Sequence, residues 1–517
     1  MPSSVANEGF KFPTRRQISV SSAELPASRQ LSIGSPINSP PPPVDVVDEA
    51  QLQSEQSENI ILHKTSSSSS SSSATLATSS GYKSRRNGWQ VKGSKLSLNT
   101  HNRIRNIVES LKIKPNPAKP MIPLSIGDPT TFGNLKAADE TMKAVLHSLE
   151  SGKYNGYAHT QGHEASRIAV AKYSAHQRPD GEIEPNDIVL CSGCSSALEY
   201  CILALADRGQ NVLIPRPGFC LYNTLAEGLD IEVRHYNLLP EQQWRADLVQ
   251  LESLIDENTA ALLINNPSNP CGSVYDEKHL RQLIDICERH YIPIIADEIY
   301  EHFVFPGSRH VAVSSLTREV PVLSCGGLTK RFLVPGWRMG WIIVHDRQQR
   351  LGDALHGLKN MCGRILGSNT IIQGALPDIL TKTPQSYFDG VIDVLYANAK
   401  LAYNMLKQVR GLNPVMPNGA MYMMIGVLIK HFPKFKDDVH FVQELVNEQS
   451  VFCLPGSCFE LSGYVRIVLT VPGPMIEEAC TRLSEFCERH YKKEDDTNDR
   501  RIIEHGLLLD DDEVTPY

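Results

Sequence analysis

From residue 187 onward the chain alternates short, continuously apolar runs with segments in which apolar residues recur every three to four positions. DIVL at 187–190, NVLIP at 211–215, ALLIN at 261–265, IPIIAD at 292–297, PVLSC at 321–325 and GWIIV at 340–344 place apolar side chains on both faces, as strands buried on both sides require. Between them, SALEYCILALA at 196–206 and EKHLRQLIDICERH at 277–290 have helical spacing. The alternation predicts an α/β fold with a mostly parallel sheet. YFDGVIDVLYANAKLAYNMLKQV at 387–409, VRIVLTVP at 465–472 and PMIEEACTRLSEFCERHY at 474–491 read as a smaller second α/β unit.

The ends read differently. Residues 1–95 hold a four-proline run at 40–43, an eight-serine tract at 66–73 and little apolar periodicity, a composition that cannot bury enough surface to offset chain entropy. Ser19 and Ser32, each behind arginine, and the Ser-Pro pairs at Ser35 and Ser39 are candidate phosphorylation sites. An acidic tail occupies 493–517. The expected organisation is a disordered segment at 1–95, an arm and part of the small domain at 96–135, a large domain at 136–389, the small C-terminal domain at 390–492 and a disordered tail.

Composition excludes more than it assigns. The chain has 517 residues, 41% hydrophobic and 21% charged, with net charge −7 and pI near 6.2. It carries no basic footprint for nucleic acid and no apolar run near the ~18 residues of a membrane span. No secretory h-region opens the chain, and Glu8 and scattered prolines argue against a mitochondrial presequence, so a cytoplasmic protein is expected. Twelve cysteines then read as small buried hydrophobes in a reducing compartment. Cys191 and Cys194 have Cys-x-x-Cys spacing, compatible with half a zinc site, a redox pair or a small-residue turn.

The candidate chemistry lies where the apolar runs stop, because open α/β sheets bind ligands beyond the carboxyl ends of their strands. Lys330 follows PVLS and two glycines, with Arg338 eight residues on; Asp297 ends IPIIAD, with Tyr300 three residues on; Asn269 lies in the turn after ALLIN. Phe219 follows NVLIP, and Gly193, Cys194 and Ser195 open a helix after DIVL. Taken singly, each is an ordinary loop lysine, cap or packing residue. Together they offer an amine for an aldehyde, a carboxylate for a ring nitrogen, donors for a phenolic oxygen, an aromatic face and a helix N-terminus with an arginine for phosphate. One ligand has all of those groups: pyridoxal 5′-phosphate.

SIGDP at 125–129, KYNGYA at 153–158, PRPGF at 215–219, NNPSNPCGSVY at 265–275, ADEIYEHFVF at 296–305, SCGGLTKRFLVPGWRMGW at 324–341, GAMYMM at 419–424 and VRIVLTVP at 465–472 stand in order along the chain. This set resembles the fold type I, class I pyridoxal-phosphate-dependent aminotransferases, and within them the tyrosine aminotransferase group. The resemblance implies a cofactor-binding large domain, a smaller domain and a homodimer with shared active sites. It also implies transamination of L-tyrosine with 2-oxoglutarate to 4-hydroxyphenylpyruvate and L-glutamate, the first step of tyrosine catabolism. By the same resemblance Lys330 is the residue that binds the cofactor and moves the proton, Asp297 holds the ring nitrogen, and Asn269 and Tyr300 hold the ring oxygen. Phe219 stacks on the ring, while Gly193, Cys194, Ser195 and Arg338 hold the phosphate. Arg466 takes the substrate carboxylate, Gly127 touches the substrate with its backbone, and Tyr157 reaches the phosphate of the neighbouring subunit. Where many relatives have a phosphate-binding serine three residues before the lysine, this chain has Gly327. Three other functions share these features: a broader aromatic aminotransferase, a β-lyase on the same cofactor, and a non-catalytic binding protein.

Overall fold

The computed structural model describes residues 91–492. The serine-rich segment with its candidate phosphorylation sites, up to residue 90, and the acidic tail lie outside the described residues. Described structure opens slightly inside the expected boundary, with a helix at Lys95–Asn99 capped by the Ser94 side chain.

Eight strands form the large sheet: β1 (Ile188–Cys191), β2 (Asn211–Arg216), β3 (Glu232–Leu239), β4 (Arg245–Ala246), β5 (Thr259–Asn265), β6 (Ile294–Asp297), β7 (Val322–Gly327) and β8 (Gly340–His345). They lie in the order β1-β8-β7-β6-β5-β2-β3-β4. The pairs β3·β2, β2·β5, β5·β6 and β6·β7 are parallel, whereas β8 runs antiparallel to both β7 and β1. Two reversals cancel, so β1 points the same way as β7. The carboxyl ends of β1, β2, β5, β6 and β7 therefore share one edge, and β8 begins there. That geometry brings residues far apart in sequence to one place.

The continuously apolar runs are buried on both faces: all four residues of β1, all four of β6 and all six of β8 are buried. Strand β3 departs from that pattern, since its EVRHYNLL sequence mixes polar and apolar side chains and only Tyr236 and Leu238 are fully buried. Helix α1 (Cys194–Leu205) packs Ala197, Leu198, Cys201 and Ile202 onto the sheet, and α2 (Glu277–His290), capped by Asp276, covers the opposite face with Leu280, Leu283, Ile284 and Cys287.

A second sheet of four antiparallel strands contains β9 (Leu412–Pro414), β10 (Tyr422–Val427), β11 (Leu454–Pro455) and β12 (Tyr464–Val468), in the order β9-β10-β12-β11. Helices α3 (Gln385–Leu406) and α4 (Gly473–His490) share its core with Phe432, Phe441 and Phe486. The expected domain boundary at 389/390 falls inside α3, which is continuous across it. Ile122–Pro123 pairs in parallel with Val451–Phe452, and Val468 donates its N–H to Leu124 O at 3.0 Å. These bonds carry the SIGDP segment, beginning at Ser125, up to β12. Among the described residues no helix is long and apolar enough to cross a membrane.

Candidate active site

At the shared edge lies a cavity of ≈ 300 Å³ whose charged lining is Lys330, Arg338, Arg466 and Asp297. Three basic side chains against one acid make it a site for an anionic ligand. Gly127, Cys194, Ser195, Phe219, Asn269 and Tyr300 also line it, so ten of the residues singled out in the sequence meet here.

Asp297 ends β6 between Asn265 of β5 and Cys325 of β7, and is 4% exposed. Its carboxylate accepts from the Tyr222 hydroxyl at 2.6 Å, from the Cys194 thiol at 3.7 Å and from Ile299 N at 3.3 Å. Burial pushes its pKa up, and these hydrogen bonds only partly oppose that shift. Among the described residues no basic side chain forms an ion pair with it. A carboxylate buried on those terms favours a cationic partner in the cavity.

Lys330 lies three residues beyond β7, on the turn opened by Gly326 and Gly327. Its Nζ donates to Gly127 O at 3.0 Å and sits 5.7 Å from the centre of the Tyr300 ring. Gly127 thus meets the lysine through its backbone.

Gly193 precedes α1 with φ +80°, and a Cβ there would collide with the Arg338 guanidinium. Arg338 itself has left-handed backbone, φ 51°, and donates to Pro335 O at 3.0 Å and Ser192 O at 3.2 Å. Gly340 completes the close approach, since a Cβ on it would lie 2.6 Å from Cys194 N. Two glycines, Gly193 and Gly340, therefore let the arginine approach the helix N-terminus, where backbone N–H groups and the helix dipole favour phosphate. This turn, with Cys194 bonded to Asp297, is what the Cys-x-x-Cys spacing encodes; among the described residues no cluster can hold a metal ion.

Gly327 faces the start of β8. A Cβ there would lie 2.8 Å from Met339 O and 3.0 Å from Gly340 Cα, so this position has no room for a side chain.

Arg466 projects from β12 and is 3% exposed. It donates to Asn269 Oδ1 and to Ser125 O, each at 3.0 Å, while its Nε has no partner. Burial lowers its pKa, and no carboxylate among the described residues pairs with it. A buried guanidinium with a free donor is an anion site. With its Oδ1 occupied by Arg466, Asn269 keeps its Nδ2 donor for the cavity.

Three features were not read from the sequence. Tyr222, the donor to Asp297, lies three residues past Phe219, whose ring meets it edge to face at 5.9 Å. Tyr422, within GAMYMM, hydrogen-bonds Tyr300 hydroxyl to hydroxyl at 2.9 Å. Ile104 and Leu454 add an apolar wall, with Leu454 directly across from Arg466 in the sheet. Tyr157 behaves otherwise: it is 87% exposed and does not line the cavity.

A mostly parallel sheet whose strand ends converge on an amine, a buried carboxylate and two anion-binding arginines defines a transferase site of the aminotransferase type. Residues 119–483 match the family described as aminotransferase class I and II, and the chain belongs to that family. It is 52% identical to tyrosine aminotransferase of Mus musculus over 79% of this chain and 90% of that one, and 51% identical to that of Homo sapiens with the same coverage. Among solved structures it resembles tyrosine aminotransferase from Leishmania infantum, with TM-score 0.76 and 34% identity over 78% of this chain and all of that one.

Proposed function

We propose that the cavity holds pyridoxal 5′-phosphate and that the enzyme moves the amino group of L-tyrosine to 2-oxoglutarate, giving 4-hydroxyphenylpyruvate and L-glutamate. The similarity to tyrosine aminotransferases supports the substrate pair, and the residues present fit the cofactor. The observation that carries the reading is the buried Asp297 carboxylate, without a cation, facing the same cavity as Lys330. A protonated ring nitrogen would supply the missing charge. Gly193, Cys194, Ser195 and Arg338 would hold the phosphate, Phe219 the ring face, and Asn269 and Tyr300 the ring oxygen. Lys330 would hold the aldehyde carbon.

When bound, the cofactor supplies an electron sink for the charge left as the substrate's Cα proton departs. Asp297 keeps a proton on the ring nitrogen, which maintains that sink. Arg466 grips the α-carboxylate of donor and acceptor alike through a fixed fork of N–H groups, which orients the Cα–H bond toward Lys330. Lys330 removes the Cα proton in the first half-reaction and returns one to Cα in the second. Leu454 and Ile104, beside Arg466, exclude water and offer an apolar surface to an aromatic side chain.

A homodimer completes this proposal. Met142, Leu146 and Leu149, each 53% exposed, share one face of the helix Asp139–Glu150, and Ile365 and Leu366 are also exposed. Such a face suits a second copy of the chain, to whose phosphate Tyr157 would be presented. All twelve cysteines are unpaired and buried, which supports a reducing compartment such as the cytoplasm.

The test is to load the purified protein with pyridoxal 5′-phosphate, reduce it with borohydride and map the modified peptide. The cofactor is expected on Lys330, and attachment at another lysine or at none would overturn the reading.

A further inference from the structure

Tyr422 has no part in the function proposed above, yet it touches both ends of the site. Its hydroxyl lies 2.9 Å from that of Tyr300, and the two rings meet edge to face with centroids 5.9 Å apart. The Arg466 guanidinium sits over the Tyr422 ring, 4.2 Å from its centre. The hydroxyl also closes on Gly127, where an added Cβ would come within 3.2 Å of it, and the Gly127 carbonyl receives Lys330 Nζ. Tyr422 is 2% exposed. A phenylalanine would fill almost the same volume without burying a polar group, so the hydroxyl calls for a specific use.

We infer that Tyr422 is a positioning residue that ties the two halves of the site together: its hydroxyl donates to the Tyr300 oxygen and so turns the Tyr300 proton toward the cofactor's ring oxygen, while its ring holds Arg466 in place for the substrate carboxylate. The inference rests on the cofactor reading above.

The order of donors follows from the number of protons. Each hydroxyl has one, and the two oxygens lie 2.9 Å apart, so one donates to the other. With the Tyr300 proton given to the cofactor's ring oxygen, the proton between the two tyrosines is that of Tyr422. Accepting that bond polarises the Tyr300 O–H and strengthens its donation onward. A stronger donor at the ring oxygen stabilises negative charge there, so the bound chromophore releases its proton at lower pH than it would without Tyr422.

Two variants separate the hydroxyl from the ring. In Tyr422→Phe loaded with pyridoxal 5′-phosphate, the pKa read from the cofactor's absorbance is expected to rise by ~0.5 pH unit, with KM for tyrosine and 2-oxoglutarate nearly unchanged. In Tyr422→Leu the same rise is expected together with a ~5- to 10-fold increase in both KM values, because Arg466 loses the nearer of its two aromatic faces and keeps only the Phe459 ring, 4.8 Å away. An unshifted chromophore in Tyr422→Phe, or unchanged KM values in Tyr422→Leu, would overturn the inference. Wild-type protein that gains no cofactor absorbance would overturn the underlying reading and this inference with it.

Discussion

The Tyr222 hydroxyl donates to Asp297 Oδ2 across 2.6 Å and fixes the carboxylate on which the cofactor's ring nitrogen would rest. Burial raises the Asp297 pKa, and Tyr222 is the strongest of the groups that lower it again. Hydrogen bonds to charged groups are worth ~1.5–3 kcal/mol. Tyr222→Phe is therefore expected to weaken cofactor binding by about ten- to a hundred-fold, measured by equilibrium titration of the cofactor-free protein. An unchanged dissociation constant would show that Asp297 needs no help from Tyr222.

Arg466 is expected to serve both substrates through the group they share, the α-carboxylate. Lysine cannot reproduce the planar fork, nor the simultaneous bonds to Asn269 Oδ1 and Ser125 O. In Arg466→Lys, kcat/KM for tyrosine and for 2-oxoglutarate should fall together, by on the order of a hundred-fold. A loss confined to one of the two would mean that Arg466 reads a side chain instead.

Gly327 offers a test of packing. Serine would match the pattern of many relatives, but its Cβ would press on Met339 O and Gly340 Cα, next to the turn that carries Arg338. Gly327→Ser should lower the melting temperature, at a cost of ~1–3 kcal/mol, and should weaken cofactor binding. Tighter binding would show that the phosphate site can accept a further ligand at that position.

His176 and Glu301 make stability depend on pH. His176 Nε2 lies 3.1 Å from Glu301 Oε2, and that hydrogen bond raises the histidine above its ordinary value. Burial pushes Glu301 up, but His302 and His176 outweigh it and hold the carboxyl well below its usual range. Glu301 is therefore charged throughout the histidine's titration. A raised histidine contributes stability that is complete below its unfolded pKa of ~6.5 and is lost as pH rises through the folded value. The melting temperature of the wild type should thus fall more than that of His176→Gln as pH is raised from ~6 through the folded pKa. Parallel curves for the two proteins would contradict this.

The sheet and most of the site were legible in the sequence for one physical reason. Strands buried on both faces read as unbroken apolar runs, and the residue after each run is placed by topology, so Asp297, Lys330, Asn269 and Gly193 followed once the runs were found. Strand β3 escaped because its exposed and half-buried positions break the run. Tyr222 and Tyr422 escaped because a tyrosine among apolar neighbours reads as core. Their partners, Asp297 and Tyr300, are 75 and 122 residues away, and only the folded chain sets those distances. Arg466, Gly127 and Tyr157 could be read only by resemblance: an arginine inside a strand run reads as an exposed strand residue, and the proposed partner of Tyr157 belongs to another subunit.

The most direct test of the central claim is a kinetic comparison of tyrosine, phenylalanine, tryptophan and aspartate as amino donors to the purified, cofactor-loaded enzyme, with 2-oxoglutarate as acceptor. The apolar wall of Ile104 and Leu454 beside Arg466 predicts a higher kcat/KM for the aromatic donors than for aspartate, and the similarity to tyrosine aminotransferases predicts the highest for tyrosine. Aspartate equal to or better than tyrosine would contradict it.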